Sequence, residues 1–372
     1  MNGDRYDVTI IGAGPAGATA AILLARKDYS VVLLDRSTFP RPVRCAGWLS
    51  SRADPLLKEL GLHAQSLLDR PFRDVTLHNA DFSKSARPQF NGSVGYLVDR
   101  AKFDSALSAA AAEHGTVFHQ GCAAVDIRLN ESSVAVSLSN QQRVSSRLLV
   151  LASGRGSELL ERIGFPREPK GTPFWTAQVE ADLSPGAKNT APHVHVVLGL
   201  DGGASFGLIC IGEDRVVLNV NWMGDRALAT HRLVNVCRTA FEHRLVPVDL
   251  SKQAGTAAVL RSPAAAALDM ESHVGKHTLL IGDAGGFVSA ASNEGIYPAM
   301  WSAQLAAQAV DAALQSPYSQ DALMNFDSLW RMQMADHLRS PHTDIRFLLP
   351  LIFSNQPMAD RMGAAFFFGE NI

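Results

Sequence analysis

The sequence predicts an α/β fold in which a parallel sheet flanked by helices is interrupted by an antiparallel sheet and followed by C-terminal helices. An apolar run, a glycine-rich turn, an Ala-rich stretch and a second apolar run occupy residues 7–36. Between residues 174 and 220, β-rich runs alternate with turn signals. An apolar strand and another glycine-rich turn return at residues 278–296. A chain of 372 residues is also long enough for two lobes.

The first segment has the order strand, turn, helix, strand, which is typical of a Rossmann-type dinucleotide-binding unit. In its G-x-G-x-x-G turn, Gly12 allows the tight turn, Gly14 lets backbone amides approach a pyrophosphate, and Gly17 lets the helix lie close to the strand. An acid at a strand end 18 positions later, Asp35, suits a ribose 2′-OH and favours FAD or NAD over NADP. The candidate cofactor-binding residues here are Gly12, Gly14, Ala16, Gly17, Asp35 and Arg36.

Composition limits the classes of partner and compartment. A net charge of −2 and a pI near 6.6 create no field that attracts nucleic acid or an anionic membrane, so we expect no nucleic-acid partner and disfavour a membrane partner. No run of 18 apolar residues is present. The scattered cysteines Cys45, Cys122, Cys210 and Cys237 form no C-x-x-C pair, which fits reduced thiols in a cytoplasmic protein.

A proline-stiffened loop with several arginines follows the first unit and suits an anionic ligand. Its end, RCAGWLS at residues 44–50, resembles the Cys-Gly-x-Gly-Leu loop of the geranylgeranyl reductase family, within the p-hydroxybenzoate hydroxylase-like flavoproteins. In that group the loop lies over the flavin ring, so we name residues 44–50 the flavin-facing loop. The resemblance implies FAD as the cofactor and Arg44, Cys45 and Gly47 as candidate catalytic residues, with Arg44 also a cofactor contact.

Two further elements extend the resemblance. The pattern Arg100-x-x-Phe103-Asp104 is similar to the family's second FAD element and implies that Arg100 contacts the adenosine or pyrophosphate side. In the third element, the resemblance implies that Asp283 binds a ribityl hydroxyl and that the next helix N-terminus stabilises reduced flavin. Asn293 stands where the family has Gly, which predicts a different turn geometry. The candidate residues of the third element are Gly282, Asp283, Gly286, Asn293, Glu294, Gly295 and Ile296.

The fold implied is therefore a Rossmann-type, p-hydroxybenzoate hydroxylase-like FAD-binding domain with an inserted antiparallel-sheet substrate domain. We expect the FAD-binding domain at residues 1–70, 96–165 and 262–315, the substrate domain at 71–95 and 166–261, and a C-terminal helical segment at 316–372. His193 and His195 share a strand face, but no third ligand with suitable spacing follows, so we expect no metal.

Two chemistries share this scaffold: oxygen transfer through a flavin C4a-hydroperoxide, and hydride delivery to an alkene. The lipid-pocket motif of the isoprenoid reductases, Tyr-x-Trp-x-Phe-Pro, is replaced by SFGLIC at residues 205–210, and the halogenase motif Trp-x-Trp-x-Ile-Pro is also missing. The sequence thus predicts an FAD-dependent monooxygenase acting on an electron-rich substrate. The alternatives are a flavoprotein that oxygenates a partner protein's tryptophan in cysteine tryptophylquinone biogenesis, a geranylgeranyl reductase-like alkene reductase, and a non-catalytic FAD-binding accessory protein.

The source of electrons is the remaining expectation. No second G-x-G-x-x-G with a strand–helix context follows the first one. We therefore expect NAD(P)H to act transiently at the flavin, or an external reductant to deliver the electrons. The substrate is expected to be a small molecule or the tryptophan of a partner protein.

Overall fold

The computed structural model describes residues 5–63, 67–167, 174–183, 191–201, 203–262, 265–340 and 343–371. Its strands are β1 Arg5–Ile11, β2 Val31–Leu34, β3 Trp48–Ser50, β4 Asp74–Asn79, β5 Ser85–Ala86, β6 Gly95–Leu97, β7 Val117–His119, β8 Ala124–Leu129, β9 Val134–Leu138, β10 Arg143–Leu151, β11 Phe174–Asp182, β12 His193–Leu198, β13 Phe206–Ile211, β14 Arg215–Met223, β15 Val259–Arg261, β16 Val274–Gly275 and β17 Thr278–Leu280. Its α-helices are α1 Pro15–Ala25, α2 Asp54–Glu59, α3 Arg100–Glu113, α4 Leu159–Arg162, α5 Arg226–Glu242, α6 Ser251–Ala254, α7 Ile296–Gln315, α8 Ser319–Leu338, α9 Ile345–Ile352 and α10 Gln356–Phe368.

The first sheet is largely parallel and has the strand order β16-β17-β10-β1-β2-β7. Strand β1 pairs in parallel with β10 and β2, and β8 and β9 add an antiparallel extension beside β10. Its central strands are continuous apolar runs because helices and the extension cover both faces. Helix α1 lies so close to β1 that a Cβ on Gly17 would stand 1.8 Å from the carbonyl oxygen of Gly12.

The second sheet forms a separate layer with the order β15-β11-β14-β13-β12-β4-β5. Most of its pairs are antiparallel, although β12 and β4 run in parallel. Helix α5 buries its apolar face, including Leu233 and Val236, against one side of this sheet. The parallel sheet, the antiparallel sheet and the C-terminal helices confirm the predicted fold class. The exact limits of the two lobes stay a prediction.

The last helices pack onto both lobes. Helices α7 and α8 cover the parallel sheet on the α1 side, with Phe326 and Trp330 fully buried. Helix α10 covers the second sheet, where Phe366 and Phe367 contact the ring of Trp48. Among the helices of the described ranges, none combines the length and apolar character needed to cross a bilayer.

Candidate active site

A cavity of about 930 Å³ lies where the two sheets meet. Its walls come from the glycine-rich turn, the loop after β2, the turn after β10, the start of α7 and the inner side of the second sheet. Of the predicted residues, the cavity is lined by Gly12, Gly14, Ala16, Asp35, Arg36, Arg44, Cys45, Arg100, Gly282, Asp283, Asn293, Glu294, Gly295 and Ile296. Gly17, Gly47 and Gly286 are not among the described lining residues. The fold thus gathers segments far apart in sequence around one space.

The glycine-rich turn exposes the N-terminus of α1 to this cavity. Gly12 has a φ of +102°, and a Cβ there would stand 2.2 Å from the carbonyl oxygen of Ala152. Gly14 is the N-cap of α1, with no side-chain cap hydrogen bond in the described structure. A Cβ on Gly14 would meet only the Arg41 guanidinium, at 3.5 Å. The helix N–H groups therefore face open space beside a cation, which suits a phosphate.

Asp35 connects the turn to the loop that follows β2. Its carboxylate accepts hydrogen bonds from the backbone N–H groups of Ala13 and Ser37, each at 2.8 Å. A carboxylate oxygen has two lone pairs, so each oxygen keeps one for a further donor such as a ribose hydroxyl. The carboxylate is therefore both a brace for the turn and a candidate cofactor contact.

Neighbouring residues of the flavin-facing loop differ in whether they line the cavity. Arg44 and Cys45 line the cavity, whereas Gly47 has a φ of +71° and packs against the carbonyl oxygen of Val98, 2.6 Å from a Cβ placed there. The N–H of Val98 donates to the carbonyl oxygen of Gly47. Of the three candidate catalytic residues, Gly47 therefore shapes the loop from behind instead of facing the cavity.

Arg100 shares a buried carboxylate with Arg41. Asp104 is fully buried and accepts hydrogen bonds from Arg100 Nε at 2.9 Å and from Arg41 Nη2 at 3.2 Å. Burial opposes the charge of Arg100, but Asp104 outweighs this effect and raises its pKa, and the guanidinium also faces the thiol of Cys45. The motif predicted Arg100, while the pairing of Arg41 with Asp104 across 63 residues had no sequence signal.

Asp283 follows β17 directly and has a free carboxyl. Burial raises its pKa to about 6, against the opposing charges of Arg100 and Arg155. Among the residues that the structure describes, no side chain or backbone group forms a hydrogen bond with this carboxyl. A buried acceptor without a protein partner fits a cofactor hydroxyl. The residues present thus fit the ribityl contact that the resemblance implied.

The turn at residues 292–296, here named the cofactor turn, ends at the N-terminus of α7. Asn293 has a φ of +56°, the left-handed conformation that Gly adopts easily and Asn tolerates better than most residues. The Gly-to-Asn difference therefore leaves this residue in a glycine-like conformation. Gly295 caps α7 without a side-chain hydrogen bond in the described structure, so the helix N–H groups again point towards the cavity.

The carboxyl of Glu294 turns into the protein interior. Oε1 accepts the backbone N–H of Ser50 at 3.0 Å, and Oε2 lies 3.9 Å from Nε2 of His337. Burial raises the pKa of Glu294 to about 8, and burial lowers the pKa of His337 to about 4. Glu294 thus lines the cavity, while its carboxyl accepts a hydrogen bond from Ser50 at the end of the flavin-facing loop.

The second sheet contributes side chains that motif reasoning missed. Thr176, Asn219, Asn221 and Ser262 line the cavity, and we name these four residues the polar wall. Leu208 and Leu260 lie on the same side of the cavity. Side chains alternate between the two faces of a strand, so Asn219 and Asn221 lie on the same face of β14. The Asn-Val-Asn pattern was therefore the sequence signal that could have indicated a polar face.

The two predicted strand histidines join a third one. His195 Nδ1 lies 3.0 Å from Nε2 of His78, and the rings of His193 and His195 stand 4.3 Å apart. In the part of the chain that the structure describes, no group of three His, Cys, Asp or Glu side chains is arranged to hold a metal ion. His78 came from the parallel neighbour β4, a pairing that the sequence did not indicate.

Comparison with known proteins adds sequence relatives. The menaquinone reductase of Mycolicibacterium smegmatis is 28% identical over 356 residues, which cover 90% of this chain and 81% of that protein. The menaquinone reductase of Mycobacterium tuberculosis is 32% identical over 167 residues, covering 43% of this chain. The chain spans only 40% of that second protein and 34% of a matching uncharacterized protein of Methanosarcina barkeri.

Solved structures share the fold across nearly the whole chain. A geranylgeranyl bacteriochlorophyll reductase-like protein from Thermoplasma acidophilum superposes with a TM-score of 0.76 at 19% identity, covering 99% of this chain and 98% of its own. A probable FAD-dependent monooxygenase from Pseudomonas aeruginosa gives 0.67 at 17% identity, covering 95% and 98%. A peptidyl tryptophan dihydroxylase gives 0.65 at 20% identity, covering 98% and 76%.

The family is established by a match to most of the chain. The family model described as FAD binding domain matches residues 5–326. Its span contains the glycine-rich turn, Arg100, Asp283 and the cofactor turn, which together surround the cavity. The chain therefore belongs to the FAD binding domain family, with FAD as its cofactor.

Proposed function

We propose that this protein is an FAD-dependent oxidoreductase, and specifically a monooxygenase that holds a small electron-rich substrate between bound FAD and the polar wall. The observation that carries the proposal is the chemistry of that wall. Its members are amides and hydroxyls, with Leu208, Leu260 and the cationic Arg261 beside them, and no Asp, Glu, His or Tyr of the described second sheet lines the cavity. When bound, FAD would supply the electrons and the means of activating dioxygen.

The wall discriminates between the two chemistries of this scaffold. Reduction of an alkene adds a hydride to one carbon and a proton to its neighbour, so a proton donor must lie within reach of the substrate. Oxygen insertion requires the substrate to be oriented and water to be excluded, which neutral side chains can do. A wall without an acid therefore favours oxygen insertion.

In the same proposal, the predicted residues hold the cofactor. The N-terminus of α1, with Gly12 and Gly14, would bind the pyrophosphate, and Asp35 would accept a ribose hydroxyl. Asp283 would accept a ribityl hydroxyl. The N-terminus of α7 would place positive partial charge at the pyrimidine edge and so stabilise the reduced anion.

Alkene reduction is the second candidate, and Cys45 favours it. This thiol lines the cavity and faces the Arg100 guanidinium, so it is a proton donor from outside the second sheet. Two similar proteins are named as reductases or reductase-like, the menaquinone reductase of Mycolicibacterium smegmatis and the Thermoplasma acidophilum protein, and these names support the same candidate. A partner protein's tryptophan as substrate is supported only by the name of the peptidyl tryptophan dihydroxylase.

Isotope incorporation distinguishes these functions. The holoenzyme is reduced chemically without oxygen and mixed with ¹⁸O₂ and a panel of phenols, indoles and naphthoquinones in single turnover. We expect one ¹⁸O atom in a product, measured by mass spectrometry. A product that gains two hydrogens on carbon and no ¹⁸O would establish alkene reduction instead, whereas conversion of a quinone to its hydroquinone, with both hydrogens on oxygen, would not. Reduced flavin that reoxidises at the same rate with and without every compound, giving no product, would favour the accessory protein.

A further inference from the structure

The polar wall and Asn293 form one continuous hydrogen-bond chain. Thr176 Oγ1 donates to Asn221 Oδ1 at 2.6 Å, and Asn293 Nδ2 donates to the same oxygen at 3.1 Å. Asn221 Nδ2 then donates to Asn219 Oδ1 at 2.9 Å. Both lone pairs of Asn221 Oδ1 are therefore occupied, and the amide nitrogen of Asn221 extends the hydrogen-bond chain to Asn219.

The hydrogen-bond chain ends at the side-chain NH₂ group of Asn219, which has no protein acceptor in the described ranges. Asn219 is 3% exposed and lines the cavity. Its side-chain Oδ1 accepts from Asn221, and in the described ranges no hydrogen bond is formed by its side-chain NH₂ group, which carries two N–H bonds. Buried polar groups in proteins are nearly always paired, so an unpaired one that borders a cavity is directed at a ligand.

The direction of the chain makes this terminal donor stronger. Asn293 Nδ2 donates to Asn221 Oδ1, and Asn221 Nδ2 donates to Asn219 Oδ1, so the two hydrogen bonds point in the same direction. Hydrogen bonds aligned in this way polarise one another in a low-dielectric interior. The end of the chain is thus a neutral, reinforced donor, which matches an oxygen acceptor on the ligand.

We infer that Asn219 selects substrates bearing a neutral carbonyl oxygen on an unsaturated ring. The inference rests on the proposed function, because it takes the space beside the polar wall to be the substrate site. At Asn219 the donor is an uncharged amide, which matches a neutral oxygen, and Leu208 and Leu260 offer apolar surface for a ring. The cationic Arg261 also lines the cavity, so the comparison with a carboxylate probe decides whether Asn219 or Arg261 governs selection. Asn219 is therefore a specificity-determining residue.

The inference is tested by equilibrium binding to the oxidised, FAD-loaded enzyme without turnover. The probes are 1,4-naphthoquinone, naphthalene and 1-naphthoate, followed through changes in flavin absorbance. The quinone tests recognition of a carbonyl oxygen alone, because its ring is too electron-poor to serve as the substrate of oxygen insertion. For the unaltered enzyme we expect the quinone to bind at least about tenfold more tightly than naphthalene, since an acceptor-lacking analogue leaves the amide unpaired. Equal affinities, or a preference for 1-naphthoate, would overturn the inference before any variant is made.

Asn219→Asp keeps the shape but removes both donors, and Asn219→Ala removes the amide. Either variant should lose the preference for the quinone, with the affinity for naphthalene unchanged. Asn235→Asp, on the exposed side of α5, is the matched control. Loss of bound FAD from either variant, with the melting temperature unchanged, would mean that Asn219 serves the flavin and would overturn the inference. Quinone selectivity without an ¹⁸O-labelled product would defeat only the proposed monooxygenase function.

Discussion

The carboxyl of Glu294 joins two segments 244 residues apart by accepting the backbone N–H of Ser50 at 3.0 Å. Ser50 ends the flavin-facing loop, and Glu294 belongs to the cofactor turn. Across the described ranges, no second side-chain hydrogen bond joins the flavin-facing loop to the cofactor turn. The position of the loop over the cavity therefore depends on a buried carboxyl.

The first prediction concerns pH and the stability of the fold. Burial raises the pKa of Glu294 to about 8 from an ordinary value of 4.5, so the folded protein binds a proton that the unfolded chain has released. Between these two values the free energy of unfolding must fall as pH rises, because the folded state holds more protons. Above about pH 8 the carboxyl is ionised in both states and its contribution to this slope ends.

Glu294→Gln should remove this part of the pH dependence. The amide oxygen can still accept the N–H of Ser50, and the amide nitrogen can donate to Nε2 of His337, whose Nδ1 faces the carbonyl oxygen of Phe368 at 3.0 Å. Urea unfolding at pH 5, 7 and 9 measures the effect. We expect the variant to gain stability relative to the unaltered protein as pH rises. A parallel pH profile for both proteins would contradict the buried, protonated carboxyl.

The second prediction concerns retention of FAD. Asp283→Ala removes an acceptor that has no protein partner, and a hydrogen bond to a charged group contributes about 1.5–3 kcal/mol. We expect weaker FAD binding, measured by flavin fluorescence after dialysis. Asp336→Ala, at an exposed position on α8, is the control and should keep its flavin. Undiminished FAD in the Asp283 variant would defeat this assignment.

The third prediction concerns the contact between α1 and β1. A Cβ on Gly17 would stand 1.8 Å from the carbonyl oxygen of Gly12, so Gly17→Ala must separate the helix from the turn. Overpacking of this kind costs about 1–3 kcal/mol, and the displaced turn should also lose FAD. Gly255→Ala is the control, since its nearest neighbour would be 3.4 Å away and it has an ordinary helical conformation. Thermal melting with and without added FAD measures both effects.

The parts that sequence predicted best are those where the backbone itself makes the site. Gly12, Asp35 and Asp283 line one cavity as their motifs indicated, because a strand–turn–helix unit fixes its own geometry over a short stretch of chain. The polar wall was harder to predict. Asparagines on a strand face are common in proteins. Only the packing of β14 beside the cofactor turn places the side chains of Asn219 and Asn221 at the cavity.

Buried pairs across long sequence separations had no signal at all. Arg41 contacts Asp104, and Glu294 contacts Ser50, only once segments far apart in the sequence have folded together. The resemblance likewise pointed to Gly47 as a residue facing the flavin, whereas its positive φ and the nearby carbonyl of Val98 give it a place behind the loop. Motif position locates a loop but does not decide which of its side chains faces the ligand.

The last prediction separates Cys45 from Arg44. The Cys45 thiol is half-buried, accepts a hydrogen bond from the N–H of Gly47 at 3.4 Å and faces Arg100, which are contacts of a small packed side chain. If the enzyme inserts oxygen, the thiol has no proton to deliver to carbon. Cys45→Ala should then keep its FAD and at least about a tenth of the single-turnover rate, a loss below about 1.4 kcal/mol.

Arg44→Ala should lose more, because an exposed guanidinium at the cavity edge is free to bind an anionic group of the cofactor or reductant. The comparison uses the same chemically reduced enzyme, the same substrate and the same flavin content for both variants. Cys45→Ser adds a decisive control, since a hydroxyl preserves size but is a far weaker acid than a thiol. If Cys45→Ala retains flavin yet forms no product while Cys45→Ser is equally inactive, the thiol takes part in the reaction, and proton delivery to an alkene carbon becomes its role.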